Sequence, residues 1–142
     1  MAAALPTKLT LEIVTPDKSL VRKDVDEVQV PGSEGYLGIL PGHTPLLAAL
    51  KVGELWYRIG SDTHHLAIAF GFVEVLPDRV TILAQIAERA RDIDVERAEA
   101  AKRRAEERLS TPAPDMDFER ARIAMMKSLI RLQVASRART RV

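Results

Sequence analysis

The sequence predicts a β + α chain, an N-terminal antiparallel β-sandwich followed by a C-terminal antiparallel two-helix hairpin. Three observations carry this prediction. All seven glycines lie at or before Gly71. The first half alternates apolar and polar residues in short runs divided by turn residues. From Ala87 onward Ala, Arg, Glu and Leu take over at helical spacing, interrupted once at Ser110, Thr111, Pro112, Ala113 and Pro114. The change of building style places residues 1–87 in the sandwich and residues 88–142 in the hairpin.

Taken in order, Lys8–Val14 reads as a strand, with Leu9, Leu11 and Ile13 on one face and Thr10 and Glu12 on the other. Pro16 and Asp17 supply turn chemistry, because proline presets φ and Asp bonds nearby backbone. Further strands are expected at Glu27–Val30, Tyr36–Leu40, Glu54–Ile59, Thr63–Phe70, Phe72–Leu76 and Arg79–Ile86. Turn residues at Pro31 to Gly35, Pro41-Gly42, Gly60 to Asp62 and Pro77-Asp78 separate them. Gly71, between two phenylalanines, marks a bulge or a close backbone approach. Asp94 is the expected N-cap of a helix running to about Leu109, and Asp117 of a second running to about Arg137.

The first helix carries a narrow seam of Ala98, Ala101, Ala105 and Leu109. The second carries two apolar stripes, Phe118, Ala121, Met125, Leu129 and Leu132 on one face and Ile123, Met126, Ile130 and Val134 on another. The seam can cover only one stripe, which leaves the other for the β domain or for a partner protein.

Bulk properties limit the function classes. A chain of 142 residues with 46% hydrophobic and 29% charged residues is ordinary for a globular protein. The longest apolar runs, such as Leu66 to Val73, are far too short to cross a membrane as a helix. The start Met1 to Pro6 lacks the basic and long apolar regions of a signal peptide. With no cysteine there is no disulfide framework and no thiolate metal site, which fits a reducing compartment. The net charge of +1 hides a split: residues 1–87 hold 7 Lys+Arg against 10 Asp+Glu, a net −3, and residues 88–142 hold 14 against 10, a net +4.

No catalytic set emerges. His64 and His65 are adjacent in a strand and point to opposite faces, which argues against a shared metal. None of the six serines sits in a nucleophile elbow. Gly32, Gly35 and Gly38 read as hairpin turns, since no Lys-Ser/Thr pair or helix start follows them. Asp24, Asp26 and Glu27 read as a solvated edge. The ordered feature is cationic. Arg97, Arg104 and Arg108 form one row on the first helix, and Arg120, Lys127 and Arg131 repeat the spacing on the second. Two such rows suit a polyphosphate. The alternatives are a solvated face paired with Glu96, Glu99, Glu106 and Glu107, and a free-standing nucleotide- or nucleic-acid-binding module. Scarce aromatics and interleaved glutamates argue against nucleic acid.

The segment Glu34 to Leu47 (EGYLGILPGHTPLL) closely resembles the ε subunit of the bacterial F-type ATP synthase. The resemblance continues through Ile93 to Ala98 (IDVERA) and Asp117 to Ala121, with order and spacing intact from about Lys8 to Ala135. It implies a ten-stranded sandwich and a two-helix hairpin in a non-catalytic central-stalk subunit. The sandwich would attach the γ subunit to the c ring. Glu34, Gly35 and Tyr36 would face the polar loops of the c ring, and His43 would belong to the γ-facing region. Many relatives are acidic where this chain has Tyr36, so Glu34 would take the ionic contact. The hairpin would fold on the sandwich or extend to the α/β head and inhibit ATP hydrolysis. The resemblance requires no cofactor but implies ATP as a regulatory ligand, held by Glu88, Ile93, Asp94, Arg97, Ala98, Arg104, Lys127 and Arg131. Lys127 stands where ATP-binding relatives have arginine, which keeps the charge but loses the planar fork. The implied location is peripheral, at the cytoplasmic face of a bacterial plasma membrane. The IDVERA motif and the lack of a transit segment favour a bacterium over a thylakoid.

Overall fold

A computed structural model describes residues 4–111 and 113–139 of the chain. Pro112, one residue of the expected helix break, lies outside them, as do the ends of both expected domains at residues 1–3 and 140–142. The chain divides into two compact units, Met1–Ala87 and Glu88–Val142.

The first unit is built from eight strands among the described residues: β1 (Leu9–Val14), β2 (Ser19–Val25), β3 (Glu27–Gly32), β4 (Gly35–Ile39), β5 (Leu46–Leu50), β6 (Gly53–Ile59), β7 (Asp62–Leu76) and β8 (Arg79–Arg89). They run in the order β2-β1-β8-β7-β5-β3-β4, with β6 pairing both β3 and β7. The β1–β2, β3–β4, β3–β5, β3–β6, β5–β7 and β6–β7 ladders are antiparallel, and β1–β8 is parallel, with Leu11 opposite Val80 and Ile13 opposite Ile82. Alternation puts one face of every strand inward. Leu9, Leu11 and Ile13 of β1, Val28 and Val30 of β3, Leu55 of β6, Leu66 and Ile68 of β7 and Val80 and Ile82 of β8 form the centre of a single core to which all eight strands contribute.

The expected count of ten strands becomes eight, partly because β7 is one 15-residue strand where the sequence suggested two. Its first part pairs with β6 from Asp62 to Ile68, and its second part pairs with β5 from Gly71 to Val75. The change of partner falls at Phe70 and Gly71, with φ of 61° and 136°. A Cβ on Gly71 would lie 2.0 Å from the Leu83 carbonyl oxygen, so the expected close backbone approach is present and only glycine fits it. The glycines of the first hairpin divide. Gly32 and Gly35 face each other across the turn Ser33-Glu34, whereas Gly38 lies within β4 opposite Gln29 and makes no turn.

Two strands lie outside the expected set, β2 and β5. On β2, Val21, Lys23 and Val25 share the face that meets Ile13, Leu11 and Leu9 of β1. The lysine, exposed on that face, interrupts the apolar alternation at the sheet edge, where a charge discourages pairing with another chain. On β5, Leu46 and Leu47 are exposed, which erases the alternation that would have revealed a strand. Asp26 is not simply solvated. It accepts hydrogen bonds from Lys8 Nζ and from the backbone N–H of Gly60 at 2.7 Å, and these donors hold its carboxyl below the usual range.

The second unit holds a 3-10 turn (Ala90–Asp92), α1 (Val95–Ser110) and α2 (Phe118–Arg139). Both expected caps are present. The Asp94 carboxylate accepts from Arg97 N at 3.1 Å, and that of Asp117 from Arg120 N at 3.0 Å. Each satisfies one of the amides that a helix start leaves without an intrahelical partner.

Candidate functional site

The hairpin is held by small residues. Ala98 and Ala105 of α1 are fully buried, and so are Ala121, Ser128 and Ala135 of α2, spaced by seven. Ser128 turns its hydroxyl back to the Met125 carbonyl at 2.8 Å, so the buried oxygen is satisfied within its own helix. The seam therefore takes neither expected stripe whole. Phe118 and Leu129, assigned to the first stripe, are 57% and 44% exposed, whereas Ala121 of that stripe and Val134 of the second are buried together with Ser128 and Ala135. Small side chains at Ala121, Ser128 and Ala135 allow a close helix approach, which large ones there would prevent.

This seam orients the cations. Stepping about 100° per residue from the buried line, Arg97, Arg104 and Arg108 fall about 80–120° to one side of α1, and Arg120, Lys127 and Arg131 fall by the same angle in the same sense on α2. In an antiparallel pair, equal turns in the same sense from a shared seam bring both rows to one face of the hairpin. Beside α2 that face has a shallow depression of about 370 Å³, lined by Asp117, Glu119, Arg120, Ile123, Ala124 and Lys127.

The ligand residues expected from the sequence fall into three groups. Ile93 is buried, Asp94 caps α1 and Ala98 lies in the seam, so the fold itself requires these three. Arg97 and Arg104 are exposed on the cationic face. Glu88 and Arg131, 43 residues apart, are brought together. Arg131 Nη2 donates to Glu88 Oε2 at 3.0 Å, and Arg131 Nε lies 2.8 Å from Glu88 Oε1. Lys127 is half-buried on the same helix face, one turn before Arg131.

The expected contact residues of the β unit form no single site. Glu34 is exposed at the tip of the β3–β4 turn, where Gly35 adopts a φ of 132°. Tyr36 is half-exposed, with its hydroxyl 3.4 Å from the backbone N–H of Glu54 and Lys51 Nζ 5.8 Å from its ring centre. His43 lies past the opposite end of β4, with Nδ1 2.6 Å from the Thr44 carbonyl oxygen. His65 and His64 do diverge. His65 Nδ1 is 2.6 Å from the buried Glu54 carboxylate, while the His64 ring stacks on Tyr57.

A surface absent from the sequence reading crosses the outer side of the sheet. Leu47 of β5, Phe72 of β7 and Leu83 of β8 are 71%, 55% and 54% exposed. Pairing of Ala49 with Phe72 and the approach of Gly71 to Leu83 set them in one stripe. The signal was present as apolar residues at outward positions, but it required β5 to be recognised as a strand.

The family model for the beta-sandwich domain of ATP synthase, Delta/Epsilon chain, matches residues 8–90, and that for its long alpha-helix domain matches residues 91–136. The chain belongs to the ATP synthase delta/epsilon chain family. It is similar to the ATP synthase epsilon chain of Koribacter versatilis, at 57% identity over 104 residues and 73% of each chain. It is similar over more of its length to that of Syntrophobacter fumaroxidans, at 52% identity over 130 residues, covering 92% of this chain and 97% of the relative. The fold of this family member also matches a chain of the Euglena gracilis mitochondrial ATP synthase with a TM-score of 0.81 at 23% identity, covering 94% of this chain and 84% of the other. A chain in the central stalk and c-ring structure of the Tetrahymena thermophila enzyme matches with a TM-score of 0.57 at 18% identity, covering 96% and 100%. Among the described residues no helix is long and apolar enough to cross a membrane.

Proposed function

We propose that the chain is the non-catalytic epsilon subunit in the central stalk of a bacterial proton-translocating ATP synthase, with a hairpin that regulates ATP hydrolysis. The observation that carries this reading is the succession of the two family domains over residues 8–90 and 91–136, in relatives called ATP synthase epsilon chain that this chain matches over nearly their whole length. In this role the β unit attaches the γ subunit to the c ring. The tip at Glu34, Gly35 and Tyr36 meets the polar loops of the ring, and the region of His43 faces γ. The stripe of Leu47, Phe72 and Leu83 offers γ an apolar surface of the kind that protein interfaces bury. The assembly holds the chain at the cytoplasmic face of the plasma membrane, and no nucleic acid is involved.

The hairpin inhibits hydrolysis when extended toward the α/β head, and ATP favours its folded form. Arg97, Arg104, Lys127 and Arg131 supply the charge for the phosphates from one face of the hairpin. ATP at ten times its Kd shifts such an equilibrium by about 1.4 kcal/mol, roughly tenfold, which regulates without locking. Co-expression with γ tests the assembly, since the two should co-purify as a stable pair, and a chain that emerges alone counts against it. Titration calorimetry tests the ligand. Wild type should bind ATP and Arg97→Ala should bind at least about tenfold more weakly, as expected for losing a charged hydrogen-bonding group. No ATP heat from wild type at millimolar nucleotide would remove ATP from the account.

A further inference from the structure

The first turns of α2 hold a guanidinium fixed against a sulfur. Arg122 Nε donates to Glu119 Oε2 at 3.1 Å, and Nη2 donates to Oε1 of the same carboxylate, one helical turn back. This two-point grip fixes the guanidinium plane. The same hydrogen bonds hold the Glu119 carboxyl below its usual range, so the pair stays charged at neutral pH. The remaining corner, Nη1, donates to Met126 Sδ at 3.2 Å, one turn ahead. Spacings of three and four set the three side chains in one row along the helix surface. A thioether sulfur is a weak acceptor with two lone pairs, and Nη1 covers one of them. The other is left free, and Met126 is only half-buried, so a small oxidant has access to the side chain. Its neighbour Met125 is half-buried too, about 100° round the helix from this row. In a chain without cysteine, methionine is the sulfur open to a peroxide.

We propose that Met126 is an oxidation site whose stereochemistry Arg122 sets, with a hydroperoxide as the oxidant. The free lone pair of Sδ attacks the terminal peroxide oxygen. The S–O bond forms as the O–O bond breaks, and the transferred oxygen gives up its proton to the departing one. With hydrogen peroxide, sulfur loses two electrons and the peroxide leaves as water. The two lone pairs of a methionine sulfur lead to opposite sulfoxide epimers, so shielding of one by Nη1 makes a single epimer predominate. Each epimer is the substrate of a different class of methionine sulfoxide reductase, so one class erases the mark at Met126 and the other leaves it. The sulfoxide is polar where the thioether was apolar. Met126 shares its stripe with Ile123, Ile130 and Val134, so oxidation puts a polar group within that stripe and loosens the packing of α2.

The full chain is treated with millimolar hydrogen peroxide and digested, and the digest is incubated with each reductase class before fragment-ion mass spectrometry. The two classes should differ at least about fivefold in the Met126 sulfoxide they remove, the selectivity of one net hydrogen bond. In Arg122→Gln the ratio should fall towards one. Arg122 is 49% exposed and lies outside the seam, so this variant keeps the helix pairing. An even mixture of epimers in wild type, or a ratio that Arg122→Gln leaves unchanged, overturns the role of Arg122. If Met126 stays reduced while Met125 is oxidised, the site itself falls. Oxidised wild type should also lose its helical circular dichroism signal at least about 2 °C below the reduced protein. Met126→Leu treated in the same way should show no such shift, and a shift that persists there overturns the effect of Met126 on α2.

Discussion

Phe70 and Gly71 show how much conformation a single residue can determine. Gly71 has a φ of 136° and stands so close to the Leu83-Ala84 backbone that a Cβ would overlap it. Gly71→Ala should therefore destabilise the β unit by about 3 kcal/mol or more, seen as a lower urea midpoint, because backbone and not a flexible side chain would have to move. A midpoint equal to wild type would show that the approach relaxes freely. Asp26 is a second such position. Hydrogen bonds from Lys8 and Gly60 lower its pKa, so its stabilisation is present above the unfolded value and lost as pH falls through the folded one. Asp26→Asn should flatten the dependence of stability on pH below about pH 4, while a slope unchanged from wild type would count against this role. The constraint on Gly71 was legible from its place between two phenylalanines. That on Asp26 was not, because Lys8 and Gly60 reach it only through the fold.

Among the elements, the helix starts were the most legible, since a cap and its first turn lie within a few residues of sequence. Strands were legible where inward and outward positions differ in polarity. That rule hid β2, whose exposed Lys23 breaks the apolar face at an edge, and β5, whose Leu46 and Leu47 are both exposed. The parallel β1–β8 ladder joins distant segments and left no local trace. For α2, apolar spacing placed Ala121 and Val134 in the two stripes, and both are buried, but it missed the buried Ser128 and Ala135 and included Phe118 and Leu129, which are exposed. Ala105→Leu should force the helices apart and cost the hairpin about 1–3 kcal/mol, measured as lower helical content and an earlier helical melt by circular dichroism. If the hairpin accepts leucine without loss, the seam is looser than its burial implies.

At the scale of the whole chain, the division near residue 87 predicts separable behaviour. The apolar core of the β unit is drawn from Leu9 to Ala84, with Ala87 packed against it, so it is complete without the helices. A chain ending at Ala87 should fold, still assemble with γ, and inhibit ATP hydrolysis less than the full chain. Equal hydrolysis rates with either form would remove the regulatory role from the hairpin. This two-part plan was visible from the glycines alone, since strand turns need φ values that helices do not. From the residues alone the candidate ligand site was legible as two rows of charge, and its other positions came from the resemblance. Which charges are already engaged, as Arg131 is by Glu88, depends on the packing of segments 43 residues apart.

The unbroken run of β7 has a mechanical consequence. One covalent strand of 15 residues is laced to β6 along its first part and to β5 along its second. Tension entering at one of these strands and leaving at the other travels along peptide bonds through the Phe70–Gly71 corner, and does not depend on a single ladder of hydrogen bonds. In the central-stalk role proposed above, that corner would carry load from one ladder to the other along the chain itself.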